Sequence, residues 1–166
     1  MAKKQPVGNA LQMLKQALKN KDLGRLYVFH GEETFLLHHY LGQLRKLLLD
    51  PLTESFNFHK LTSETFDIRE FADCVENLPM MAERTMVVVD EIDVFKMNES
   101  DREAMVEIFS DIPDYCVVVF LFDTVEFKVD GRQKKLADAS GDLIPGQICP
   151  VHERVIYRMP LRDLHP

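Results

Sequence analysis

Residues 85–89 read Thr-Met-Val-Val-Val and run directly into Asp90 and Glu91. No polar residue alternates with the apolar ones, so a strand built from this run has no face to offer water. Such strands belong to parallel sheets whose two faces are both covered. Residues 115–122 repeat the pattern and are the most apolar segment of the chain. A fold organised around these two runs needs a layer of helices above and another below.

The remaining segments supply those layers. A first helix is expected over 9–19, where Asn9 and Gln12 make a capping-box pair and Leu11, Leu14 and Leu18 form one stripe. Residues 26–30 read as a short apolar strand. Residues 34–49 carry Leu37, Tyr40, Leu41, Leu44, Leu47 and Leu48 at helical spacing, with Arg45 and Lys46 at the end that favours cations. Residues 56–61 alternate apolar and polar and predict a strand near a sheet edge. Asp67 and Glu70 start a helix with Ile68, Phe71, Ala72 and Val75 inward, ended by Leu78-Pro79. A further helix over 98–109 turns Ala104, Met105, Ile108 and Phe109 inward. Strands alternating with helices give an α/β, three-layer parallel sheet.

At 166 residues and 46% hydrophobic content the chain has material for one domain with a proper core. A net charge of −7 argues against a DNA-binding module, which would carry a basic face. No run of 18 apolar residues is present, so no membrane span is expected. The first residues lack the apolar run of a signal peptide. Cys74, Cys116 and Cys149 are widely spaced and odd in number, which fits reduced thiols and a cytoplasmic location.

Candidate chemistry is sparse. The turn after the first strand, His30-Gly31-Glu32-Glu33-Thr34, sits where a nucleotide-binding protein carries its phosphate loop. A phosphate loop needs several glycines, a lysine and a hydroxyl residue. Here there is one glycine and no lysine, and Glu32 and Glu33 occupy the positive end of the helix that phosphate would need. No nucleotide cofactor is expected at this degenerate loop. Asp90 and Glu91 at a strand end resemble the magnesium-holding acids of ATPases, yet they lack a phosphate-binding partner; the ordinary reading is a structural strand end. His38 and His39 point about 100° apart on a helix, no Cys-x-x-Cys occurs, and no metal site is expected. No Gly-x-Ser-x-Gly is present, so nucleophilic hydrolysis has no anchor. Lys128, Arg132, Lys134 and Lys135 form the one basic cluster; a solvated helix face is the favoured reading, and a contact to an acidic partner or a phosphate backbone is the alternative. Met80 and Met81 stand between Leu78-Pro79 and Glu83-Arg84. Burial is the default for methionine, but both side chains of a pair in a loop can hardly point inward together. The residues leave core and exposed placements open.

Four stretches carry a resemblance in order and spacing: residues 26–37, 56–61, 78–89 and 129–136. Gly31-Glu32-Glu33 after a strand, with Leu78-Pro79 and two large apolar residues before Arg84 and a second strand, is the specific combination. Over roughly residues 10–137 the chain resembles the N-terminal domain of the delta subunit of the bacterial DNA polymerase III clamp loader. The resemblance implies an AAA+/RecA-like fold without a functional phosphate loop and with no catalysis of its own. It implies a sliding clamp (the beta subunit) as partner, other clamp-loader subunits alongside, and DNA met only indirectly. Leu78, Pro79, Met80 and Met81 are then the clamp-binding residues, with Met80 and Met81 in the place of a pair in which phenylalanine is more usual. Methionine keeps the apolar volume and loses the rigid ring.

The pattern fails from about Ala139. We therefore divide the chain into a clamp-binding domain over 1–138 and a tail over 139–166, where truncation or a shifted reading frame would account for the loss. Gln147 to Val151 is the one substitute for a fifth strand, and Pro150 makes it a poor one. The tail has little apolar periodicity and is expected to be loosely held. Two other readings stay open: a divergent AAA+ ATPase using Asp90 and Glu91, and an adaptor domain on the same fold.

Overall fold

The computed structural model describes residues 10–31, 34–93, 96–123 and 154–159. In chain order the elements are α1 (Ala10–Asn20), β1 (Leu26–Gly31), α2 (Thr34–Leu48), α3 (Glu54–Asn57), β2 (Phe58–Thr62), α4 (Ile68–Glu76), β3 (Thr85–Asp90), α5 (Glu99–Ser110), β4 (Cys116–Phe122) and β5 (Arg154–Met159). The strands form one sheet in the order β2-β3-β4-β1-β5, and every neighbouring pair is parallel.

The register explains why the central runs carry no polar residue. Val87 pairs with Val118, Val28 with Phe120 and Leu61 with Val89, and all six side chains lie on one face. Met86, Val88, Val117, Val119 and Leu121 alternate with them onto the other face. Each face is a core. The first is covered by Phe71 and Val75 of α4 and by Met105 and Phe109 of α5. There Phe71, Phe109 and Phe120 meet nearly edge to face, with ring centroids 5.5–6.5 Å apart. The second face is covered by Leu14 of α1 and by Leu36, Leu37, Tyr40 and Leu44 of α2. Each fully buried side chain of this size contributes about 1.5–3 kcal/mol.

Helix starts follow the sequence signals. The Asp67 carboxylate accepts from the N–H groups of Arg69 at 2.9 Å and Glu70 at 3.2 Å. The Asn98 side chain accepts from Asp101 N–H at 2.8 Å. Ile68, Ala72, Ala104 and Ile108 are only partly buried, whereas Cys74, not expected inward, is buried.

Three expectations are corrected. The strand expected over 56–61 begins at Phe58, because residues 54–57 close a helical turn in which Phe56 N–H bonds to Thr53 O at 3.1 Å. Phe56 is consequently exposed instead of packed. Helix α4 ends at Glu76, before Leu78-Pro79; the residue preceding a proline is pushed out of helical geometry, and Asn77 already leaves it at ψ 126°. The tail does contain a sheet element: β5 pairs in parallel with β1, Leu26 opposite Arg154 through Gly31 opposite Met159. An edge strand needs one bonded neighbour, and the Val155-Ile156-Tyr157 run suits a strand without any longer periodicity. The alternative at 147–151 and the boundary at 138–139 lie outside the described residues, as do Glu32, Glu33, Cys149 and the basic cluster from Lys128 to Lys135.

Candidate functional site

In a parallel sheet the loops that precede strands gather at one end and those that follow gather at the other. The loop over 77–84 precedes β3 and lies at the first end. Gly31, Asp90, Glu91 and Asp123 all end or follow strands and lie at the second. The length of β3, about 17 Å at about 3.3 Å per residue, separates them.

The loop is fastened where it leaves the helix and where it enters the strand. Tyr115 does both. Its hydroxyl donates to Glu76 O, the last helical residue of α4, at 2.7 Å. Its carbonyl accepts from Thr85 N–H, the first residue of β3, at 2.8 Å. Arg84 adds a contact to Asp114 O at 3.5 Å. Between these anchors the chain projects outward. Leu78 is 77% exposed, Met80 54% and Met81 88%, while Pro79 is half-buried. Met81 has φ 52°, the left-handed region that L-residues other than Gly, Asn and Asp rarely enter. The structure thus resolves the choice left open by the residues: both methionines face solvent.

The middle of the loop is held from the side. Asn57, wholly buried at the end of α3, accepts Met80 N–H at 2.7 Å and donates to Met80 O at 2.9 Å. It also donates to Thr53 O at 2.9 Å. The turn that carries Asn57 is braced by α2: the Arg45 guanidinium pairs with Glu54 and lies 4.0 Å from the centre of the Phe58 ring. Nothing in the sequence marks Asn57 or Tyr115 for these roles. Asn57 passes there as the outward residue of an alternating strand, and Tyr115 as a strand-end aromatic.

At the opposite end of the sheet the acids contact neighbouring groups. Asp90 forms an ion pair with Lys60 of β2 at 2.9 Å. The Glu91 carboxylate accepts from Asp123 N–H, and Asp123 contacts His38 Nε2 at 3.0 Å. Among the described residues no group of three or more His, Cys, Asp and Glu could hold a metal ion. The described thiols are poor nucleophiles: burial pushes Cys116 up to about 11, and burial followed by the nearby Glu70 and Asp73 charges raises Cys74. Among the described residues no helix is long and apolar enough to cross a membrane.

The family model described as DNA polymerase III, delta subunit, matches residues 27–141. The chain belongs to that family. The match takes in β1, the Asn57 turn, the projecting loop and β4. A relative from Bacillus subtilis strain 168, DNA polymerase III subunit delta, is 26% identical over 124 residues, which is 72% of this chain and 35% of the relative. Among solved structures the fold is similar to the Bacillus subtilis DNA clamp loader delta protein, with a TM-score of 0.72, 22% identity, and coverage of 90% of this chain and 42% of that one. A DNA polymerase III gamma subunit-related protein from Thermotoga maritima matches with a TM-score of 0.50 at 16% identity, covering 92% of this chain and 44% of that one. This delta-family chain therefore spans less than half the length of the relatives it matches.

Proposed function

We propose that this delta-family chain binds a sliding clamp through Leu78, Pro79, Met80 and Met81, and favours the open form of the clamp ring during DNA replication without hydrolysing ATP itself. The observation that carries the reading is the pair of exposed methionines on a loop fastened at both ends and in its middle. Exposed large apolar side chains on a rigid support are what a buried anchor in an interface requires. Burying each methionine in a partner pocket contributes roughly 1.5–3 kcal/mol. A ligand shifts a closed–open equilibrium only by its differential affinity for the two states, so the tip opens a ring by fitting a pocket better when the nearby interface is parted.

The engagement of Asp90 with Lys60, and of Glu91 with the Asp123 N–H, supports a structural role for the acids that an ATPase would spend on magnesium. ATP would then act through other loader subunits, which join this one in the longer proteins of the family, and the location is cytoplasmic. The test is a surface-immobilised binding assay with the sliding clamp of the same organism. The parent chain should bind. Changing Met80 and Met81 together to Asp should abolish binding and leave the melting temperature unchanged, because both side chains are outside the core. Parent-like binding by that double variant, or no binding by the parent, contradicts the reading. Titration with ATP and magnesium should give no heat of binding.

A further inference from the structure

We infer that Asn57 is the positioning residue that presets the methionine tip before any partner arrives; the inference rests on the reading of that tip as the clamp anchor. A primary amide has one oxygen acceptor and two N–H donors. In Asn57 all three functions are used. The oxygen takes Met80 N–H at 2.7 Å, and the nitrogen gives to Met80 O and Thr53 O, each at 2.9 Å. Both backbone groups of Met80 are thereby held by one side chain from 23 residues away. The next residue, Met81, stands at φ 52°, a conformation that persists only where the surroundings over-determine it.

The requirement is specific to the side-chain type. Aspartate keeps the acceptor and loses both donors. Glutamine is one methylene longer and displaces either the loop or the α3 turn. Apolar residues leave the Met80 N–H and C=O to water, and the tip then samples many conformations. The path of support runs from α2 through Arg45 to Glu54 and Phe58, then through Asn57 to Met80. Such a tip meets its pocket already ordered, so little ordering entropy is lost on binding.

The test uses Asn57→Ala in the full 166-residue chain. Amide exchange of the free protein is read by NMR, and affinity is read against the sliding clamp of the same organism. The amide of Met80 should exchange much faster than in the parent while those of Val87 and Val88 keep their protection. The Kd for the clamp should rise roughly ten- to a hundred-fold, as expected for two lost backbone hydrogen bonds and a disordered anchor. In a cycle with Met81→Ala the two losses should not add, because a disordered tip has already forfeited much of what Met81 supplies. Unchanged exchange at Met80 overturns the inference even if the parent fails to bind a clamp, an outcome that would sink only the clamp reading. Fast exchange with parent-like affinity, or strictly additive losses, overturns it as well, since Asn57 would then be structural only. Should Asn57→Ala not fold, Asn57→Ser carries the same measurements, its hydroxyl being too short to span to Met80.

Discussion

A side chain with no exposure and three polar functions has to find every partner inside the protein, and Asn57 finds them on backbone groups of its own turn and of the loop that carries Met80. Nothing in the string Phe-Asn-Phe-His distinguishes this asparagine from one that points to water on an edge strand. Its role depends on a loop 23 residues later, and a single sequence does not record that pairing. Met80 and Met81 are the opposite case. Their position between Leu78-Pro79 and a buried strand singles them out, and only their exposure waits on the structure. His59 gives a test at this level. Its Nε2 is buried with no hydrogen-bond partner among the described residues, and burial lowers its pKa from the ordinary 6.5. The unfolded chain therefore takes up a proton at higher pH than the folded one does. The contribution is fully present above about pH 6.5 and is lost as pH falls through that value towards the lower folded pKa. Urea unfolding between pH 7.5 and 5 should show a decline that His59→Gln reduces; an identical decline in both proteins would refute this.

Helices α2, α4 and α5 are legible because each is long enough to display its period, with capping residues Asp67 and Asn98 at the last two, and strands β1, β3 and β4 because each is an unbroken apolar run. Helix α3 is not: at four residues it completes barely more than one turn, so no periodicity can appear, and its aromatic and polar residues mimic strand alternation. Strand β5 is missed because it follows prolines and glycines that erase any longer pattern, and because an edge position demands little of its sequence. The support of the tip is correspondingly measurable. Asp67→Ala removes the cap of α4 and should cost about 0.5–2 kcal/mol in denaturant unfolding. Phe71→Ala, at the centre of the aromatic cluster, should cost about 3–5 kcal/mol. Both variants should bind the clamp like the parent while folded, because neither residue touches the tip. Weakened binding by either in a fully folded sample would mean that the interface extends beyond the loop.

The two ends of the sheet differ: one end projects an apolar tip, and the other ties its acids into ion pairs and backbone contacts. The turn after β1 lacks the lysine that a phosphate loop needs, and that much is legible in the sequence. The engagement of Asp90 is visible only once β2 is seen beside β3. Asp90→Ala should therefore lower stability by no more than about 1 kcal/mol, the range of a partly exposed pair, and leave clamp binding intact. The most direct measurement of the central claim is methionine oxidation by dilute hydrogen peroxide, read by mass spectrometry with and without the sliding clamp. In the free chain Met80 and Met81 should oxidise quickly, and the buried Met86 and Met105 slowly. With the clamp in excess, Met80 and Met81 should become as slow as Met86; oxidation of both at their free rates in the presence of bound clamp would contradict the account.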